Sequence, residues 1–323
     1  MLDILAITGP IYLCIAAGYA SVRWNLFSKA DMRVFGRFVL QVALPALLFN
    51  ALASRPLSDV LHWPYLLAYT AGSLTLMMGA LLFARRVQRK SLSESAYVAM
   101  GITCSNSGFV GYPVMLLTFG PLAGVVLALN MLIENLLKLP LLFTLADASG
   151  QDPVRPSRLQ ALRSTLAPLL RNPMILAIFA GFLVALLGLQ LPAVIQRTVT
   201  LFSSASGGLA LFIIGGSLVG LEVKGLRQQV SMIAGGKLLL HPLAVLVAAL
   251  LLPWLGLPVL DGDLRTAAVL SAAMPMMGIY SLLAQRHGFE GFTAAALLAT
   301  TVASFFSISA ILWLMRHTPG WLV

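Results

Sequence analysis

Long apolar stretches, separated by short polar or proline-containing connections, run along almost the whole chain. Ten of them have about the 20 residues that one helical crossing of a bilayer requires. They fall at residues 4–22, 34–53, 64–84, 94–117, 122–145, 173–190, 195–220, 230–252, 266–286 and 291–315. Helix breakers such as Gly120-Pro121, Pro192 and Pro253 stand near their ends. We therefore predict an all-α polytopic membrane protein with ten transmembrane helices.

The composition excludes most other protein classes. The chain has 323 residues, of which 59% are hydrophobic and only 10% are charged, and soluble domains carry about 25% charged residues. A soluble enzyme, a disordered protein and a disulfide scaffold are therefore excluded. Cys14 and Cys104 lie in apolar stretches and are expected to be unpaired. The N-terminus lacks the basic residues of a cleavable signal peptide, so the first span is expected to be retained.

The distribution of positive charge predicts how the chain crosses the membrane. Fifteen Lys and Arg residues belong to odd-numbered connections, and four belong to even-numbered connections or the tail. Because cytoplasmic loops collect Lys and Arg, we expect the odd connections in the cytoplasm and both termini outside a bacterial-type inner (plasma) membrane. The net charge of +10 then reflects topology, and no nucleic-acid partner is expected.

The longest connection divides the predicted spans into two sets of five. We predict a first five-helix repeat at 1–145, a cytoplasmic linker at 146–172 and a second repeat at 173–323. Because each repeat has an odd number of spans, the two repeats have opposite orientations in the membrane. Inverted repeats of this kind are a common plan of secondary transporters.

Spans four and nine, which hold corresponding places in the two repeats, are both interrupted. Span four carries small and polar residues ahead of a proline, and span nine carries Pro275. Proline breaks or kinks a helix, and paired broken helices are the best sequence indication of a transport site. Free amides after Pro113 and Pro275, at the positive ends of two half-helices, would favour a carboxylate. The alternative is a pair of kinked helices that only pack.

These residues carry a resemblance to a known family. Residues 18–19 and 42–49 resemble the first two helices of auxin efflux carriers, residues 105–113 resemble the fourth-helix signature, and 274–275 with 283–288 resemble the ninth helix. The likeness runs over nearly the whole chain, which is identified as a bacterial member of the auxin efflux carrier family. The seven-residue step from Asn106 to Pro113, with Gly111 between, is the most specific part.

The resemblance implies a fold and a substrate class. It implies two inverted five-helix repeats with crossed, broken helices four and nine. It also implies a dimerising scaffold of spans 1, 2, 6 and 7, with a moving transport domain of spans 3–5 and 8–10. Substrates of the family are small organic anions, namely auxins in plants and malonate or malate among bacterial relatives. This chain departs from the family at one point. Many bacterial members carry an amide side chain about one turn after the second proline, whereas residues 276–280 of this chain contain none. This departure puts a sodium site in doubt.

The candidate site residues follow from the break and the resemblance. The predicted substrate-binding residues are Ser105, Asn106, Ser107, Gly108, Gly111, Pro113, Pro275, Met276 and Tyr280. Asn130, Glu134 and Lys138 are spaced to share one helix face, and they are candidates for ion coupling. Glu134 is either a proton or cation relay beside Asn106 or a partner of Lys138 in an ion pair. For Lys237 we expect an ammonium that reaches the interface, with substrate gating as the alternative.

We therefore predict a secondary active transporter of small carboxylates that works by alternating access. It is not expected to be an enzyme or to bind a metal or cofactor, apart from H⁺ or Na⁺ as a coupling ion. Expected partners are the carboxylate, membrane lipid and a second copy of the chain. The alternative is a sodium-coupled bile-acid-type symporter or a cation/proton antiporter of related crossover fold. An antiporter normally needs acidic residues at the crossing, and none is expected there.

Overall fold

A computed structural model describes residues 2–55, 61–147, 171–220, 227–285 and 287–317, and helices make up most of these ranges. Pro56, Lys224, Arg286 and nearly all of the predicted linker 146–172 lie outside the described residues. The helices are α1 Leu2–Arg23, α2 Lys29–Ala53, α3 Trp63–Arg86, α4 Leu92–Thr103, α5 Ser107–Phe119, α6 Leu122–Asp147, α7 Pro173–Leu187, α8 Ala193–Ser217, α9 Arg227–Leu251, α10 Gly262–Ala273, α11 Tyr280–Gln285 and α12 Glu290–His317. Helical segments occupy each predicted apolar interval, and the fourth and ninth intervals hold two each.

Six of these helices are long and apolar enough to cross a membrane, namely α2, α3, α6, α8, α9 and α12. Within the described ranges the structure has no strand, and its only β-type pairing is a single antiparallel bridge. The prediction of an all-helical polytopic membrane protein is confirmed at this level.

Helix ends follow local sequence signals. Ser28 and Asp31 form a capping box at the start of α2, since each side chain bonds the other residue's backbone N–H. Asn172 caps α7, which starts with Pro173 and ends at Gly188 in the left-handed conformation, φ +59°. Proline at the first position and glycine after the last fix both ends of this short apolar helix.

The helices pack in two groups. α1, α2, α7 and α8 pack on one another, while α3, α4, α6, α9, α10 and α12 form the second group. The contact between α1 and α8 is close enough to exclude side chains at two positions. A methyl group on Gly18 would overlap the carbonyl of Phe212, and one on Gly215 would overlap that of Ile15. Glycine allows this backbone-to-backbone approach, which is how helices associate tightly in lipid.

Four prolines inside helices are each preceded by a wide, π-helical turn. The turns cover Val39–Ala43 before Pro45, Ser107–Gly111 before Pro113, Ile133–Lys138 before Pro140 and Gly236–Leu240 before Pro242. Proline lacks an N–H and clashes with the carbonyl four residues earlier, and a wider turn accommodates both effects. The helix consequently continues through Pro113, so the expectation that this proline starts the second half-helix is wrong.

Candidate functional site

The two interrupted stretches cross each other. α4 ends at Thr103 and α5 begins at Ser107, whereas α10 ends at Ala273 and α11 begins at Tyr280. The backbone N–H of Asn106 donates to the carbonyl of Pro275 at 2.8 Å, and Ser105 forms a β-bridge with Met276. These bonds satisfy backbone groups that the broken helices leave unpaired, which is a requirement inside a membrane protein.

Asn106 organises the start of the second half-helix. Its Oδ1 accepts a hydrogen bond from the N–H of Phe109 at 3.1 Å, as a helix N-cap does. Its Nδ2 is close to Gly278, because a Cβ atom built on that glycine would lie 3.7 Å from Nδ2. No described residue accepts a hydrogen bond from Nδ2. Ser107 and Gly108, in the first turn, carry amides of the kind that a helix leaves unpaired.

These groups face a cavity of about 550 Å³ between the two helix groups. Polar residues of its wall include Ser105, Asn106, Ser107, Glu134 and Asn135. The apolar wall is formed by Met32, Leu40, Leu44, Phe109, Met131, Leu139, Met174, Ile213, Ile214, Leu218, Met277, Ile279 and Leu297. An apolar pocket with a few convergent polar groups is the usual form of a small-molecule site.

One wall of the cavity carries a polar stripe from α2. Arg33, Arg37 and Gln41 are spaced by four residues, so they lie along one helix face, and all three line the cavity with exposed side chains. No described carboxylate pairs with either arginine. Sequence reasoning counted the arginines only toward topology. Their four-residue spacing, continued by a glutamine into an apolar span, was the signal that could have revealed them.

Comparison with known proteins shows the family of the chain. The family model described as "Membrane transport protein" matches residues 6–314, nearly the whole chain. The chain belongs to this membrane transport protein family.

Similar members of the family include bacterial and plant transporters. A protein of Rhizobium meliloti (strain 1021), whose name gives malonate transport as an inferred role, is 27% identical over 98% of this chain and 97% of its own. The uncharacterized transporter YfdV of Escherichia coli (strain K12) is 28% identical over 94% of this chain and 95% of its own. Auxin efflux carrier component 2 of Arabidopsis thaliana is 23% identical over 46% of this chain and 23% of its own. The identification as an auxin efflux carrier relative is confirmed, and the protein is a transporter rather than an enzyme.

In this membrane transport protein the predicted substrate residues divide into two sets. Ser105, Asn106, Ser107 and Gly108 line the cavity. The remaining five lie outside its wall: Gly111, Pro113, Pro275, Met276 and Tyr280. The backbones of Pro275 and Met276 hold the crossing, and the buried Tyr280 hydroxyl donates to the carbonyl of Tyr97 at 2.6 Å.

Glu134 lies at the crossing, next to Asn106 as the relay hypothesis had it, so the expectation that no acid lies there, used against an antiporter, is wrong. Its Oε1 accepts from the N–H of Ser105 at 3.1 Å and from the hydroxyl of Ser107 at 3.2 Å. Lys138 Nζ lies 3.8 Å from the same oxygen, so the predicted ion pair is present. Asn130 belongs to a different contact, because its Oδ1 accepts from the hydroxyl of Tyr65 at 2.8 Å. The carboxylate therefore holds the loop that presents Asn106 to the cavity.

Lys237 is buried at the crossing rather than reaching the membrane interface. Its side chain has no exposed surface, and its Nζ donates to the hydroxyl of Ser105 at 2.7 Å. The expectation of an interfacial ammonium is therefore wrong. The reason is tertiary: the wide turn that carries Lys237 packs behind the break in span four, which the sequence of α9 alone does not reveal.

Proposed function

We propose that this protein is a secondary active transporter of small organic anions, carboxylates such as malonate, malate or auxin-like acids. The observation that carries the proposal is a half-helix start, capped by Asn106, on the wall of a cavity that two arginines also face. Helix starts carry about half a positive charge and unpaired N–H groups. An anionic group is the ligand that such a wall favours.

The chemistry of the wall supports a small carboxylate in particular. One carboxylate would accept from Asn106 Nδ2 and from the amides of Ser107 and Gly108. Arg37, which lines the same cavity, offers a guanidinium for a second carboxylate, and guanidinium–carboxylate bonds are among the strongest hydrogen bonds in proteins. The malonate transport role in the name of the Rhizobium meliloti relative makes a dicarboxylate the first substrate to test.

The packing of the helices supports alternating access as the mechanism. We propose ten transmembrane helices in two inverted five-helix repeats. In this arrangement α1, α2, α7 and α8 form a scaffold that pairs with a second copy of the chain. The other group moves against it and carries the crossing. With the predicted orientation of both termini outside an inner membrane, the cavity reaches Arg33 on the cytoplasmic side, which corresponds to an inward-open state.

The position of Glu134 at the crossing makes a cation/proton antiporter the alternative function to consider. In such a protein a carboxylate at the crossing would exchange its cation or proton with the cavity. Here Ser105, Ser107 and Lys138 already surround the Glu134 carboxylate. We therefore favour a positioning role for Glu134 and an organic anion as the cargo.

Uptake by purified protein in liposomes tests the proposed function. We expect labelled malonate or malate to accumulate in liposomes preloaded with the unlabelled acid, and we expect no accumulation in protein-free liposomes. Indole acids belong in the same panel, and a thermal-shift screen identifies the acids that bind. The proposal fails if none of the carboxylates is bound or moved.

Replacing Arg37 with Gln is expected to raise the KM for a dicarboxylate more than that for a monocarboxylate. The guanidinium is exposed to the cavity, and a partly solvated charge pair is worth about 1 kcal/mol, so the KM should rise about fivefold. Arg197→Gln is a matched control, because Arg197 is exposed on α8 and is not part of the cavity wall. Equal changes in KM for both substrate classes would show that Arg37 does not meet the second carboxylate.

A further inference from the structure

Both interrupted spans point a helix C-terminus at the crossing. α4 ends at Thr103 and α10 ends at Ala273. The last carbonyls of a helix have no partner within it and carry about half a negative charge. In sodium-coupled transporters with broken helices, such carbonyls coordinate the coupling cation. What satisfies them here therefore bears on whether this protein requires a cation.

A buried lysine donates to each of these helix ends. Lys138 Nζ donates to the carbonyl of Thr103, and Lys237 Nζ donates to the carbonyl of Ala272 at 2.7 Å. Both lysine side chains have 0% of their surface exposed. One lysine comes from the wide turn of α6 and the other from the wide turn of α9, so each span end receives its own ammonium.

The surroundings of Lys237 suit an ammonium with three protons. Two N–H groups point to Ala272 O and Ser105 Oγ, and Nζ also lies 2.9 Å from Nδ1 of His241, which itself lies 3.1 Å from Ala272 O. Nε2 of the same imidazole lies 2.9 Å from Ser73 Oγ, so His241 joins the buried hydrogen-bond network in either tautomer. The single nitrogen of Lys237 thus links the loop of span four to the end of α10.

Lys138 lies among groups that attract a cation at the other helix end. Besides Thr103 O, its ammonium lies 3.8 Å from Glu134 Oε1 and 5.2 Å from the centre of the Tyr69 ring. A carboxylate and an aromatic face are both groups that attract a cation. With both lysines protonated, the two lysines and one glutamate give the crossing a surplus of positive charge, which would repel a further bound cation.

We propose that the ammonium groups of Lys138 and Lys237 are the resident cations of this crossing and that the protein works without sodium. They hold the two helix ends at which a bound cation would otherwise be needed, and the surplus charge favours the anionic cargo. This inference deepens the proposed function and rests on it only where flux is measured.

The first test compares the purified wild-type protein in sodium chloride and in choline chloride of equal concentration. A ligand that binds only the folded state raises the Tm, so a sodium site would appear as a higher Tm in sodium. We expect equal Tm values in the two salts. Flux of any transported carboxylate is likewise expected to be the same with sodium and with choline.

The second test removes one ammonium and supplies it again as a small molecule. Lys237→Ala leaves room for n-propylammonium, whereas n-propanol has a similar shape without the charge. We expect the variant to unfold several degrees below the wild type and n-propylammonium, but not n-propanol, to restore its Tm. Any carboxylate flux should fall about tenfold to a hundredfold, as for the loss of a charge-assisted hydrogen bond, and recover with n-propylammonium.

Two further variants keep the test decisive. Lys237→Met keeps the apolar stem without the charge, and it serves if Lys237→Ala does not fold. Lys29→Ala is the matched control, because Lys29 is exposed at the start of α2. A sodium-dependent Tm or flux of the wild type would overturn the proposal, as would Lys237→Met with wild-type Tm and flux. Absence of flux in every condition would refute the proposed function instead, and the Tm comparisons would still decide the role of the lysines.

Discussion

Transport is expected to fall about a hundredfold when Asn106 is replaced by Ala. The substitution removes Nδ2, the side-chain donor that we expect to meet the carboxylate, and a hydrogen bond to a charged group is worth about 1.5–3 kcal/mol. It also removes the Oδ1 cap on Phe109 N–H, whose loss costs about 1 kcal/mol of stability. Initial rates of uptake in liposomes, together with the Tm of the same preparation, measure the two effects separately.

Asn106→Asp separates binding from folding in this prediction. Aspartate caps a helix start as well as asparagine does, so the Tm of this variant should stay close to that of the wild type. Its negative charge at the carboxylate position would repel the substrate, and uptake should be lost as in Asn106→Ala. Transport of malonate by Asn106→Asp at the wild-type rate would contradict the assignment of Asn106 to the substrate.

The second large effect is expected on stability, from Gly18→Ala in α1. The added methyl group would overlap the carbonyl of Phe212 in α8, and backbone atoms on both sides leave no flexible side chain to move aside. Overpacking costs about 1–3 kcal/mol in ordinary cores, and we expect the upper end here, with a Tm lower by about 5 °C or more.

Gly9→Ala is the matched control, because it lies in the same helix with no heavy atom near the position of its Cβ. It should leave the Tm unchanged or raise it slightly, since alanine favours the helix. Thermal unfolding of both variants in the same detergent measures the difference. Equal Tm values for Gly18→Ala and Gly9→Ala would show that α1 and α8 do not pack closely in the folded protein.

The sequence was sufficient for the helices and for the main break. Apolar length predicts where helices form because the bilayer requires it. The Ser105-Asn106-Ser107-Gly108 cluster predicted unwinding because small polar residues and glycine disfavour a helix interior. The same reasoning placed the break too close to Pro113, since one wide turn lets a helix pass through a proline.

The features that escaped prediction depend on how distant segments meet. Glu134 bonds to Ser105, 29 positions away, and Lys237 bonds to Ser105, 132 positions away; neither pairing leaves a pattern in its own helix. Arg33 and Arg37 were counted with the first connection, although they run into span two, because counting charges for topology ignores the direction in which a helical residue points. Only the packing of α2 against the crossing turns them toward the cavity.

The wide turns before the four prolines change the helical-wheel projections of the helices that contain them. Each turn contains one residue more than an α-helical turn, so every later residue is rotated by about 100° about the axis. A helical wheel computed across α2, α5, α6 or α9 therefore assigns wrong azimuths to all residues beyond the turn. Deleting a single residue within such a turn would restore regular winding and leave the residues beyond the turn at the azimuths they already have.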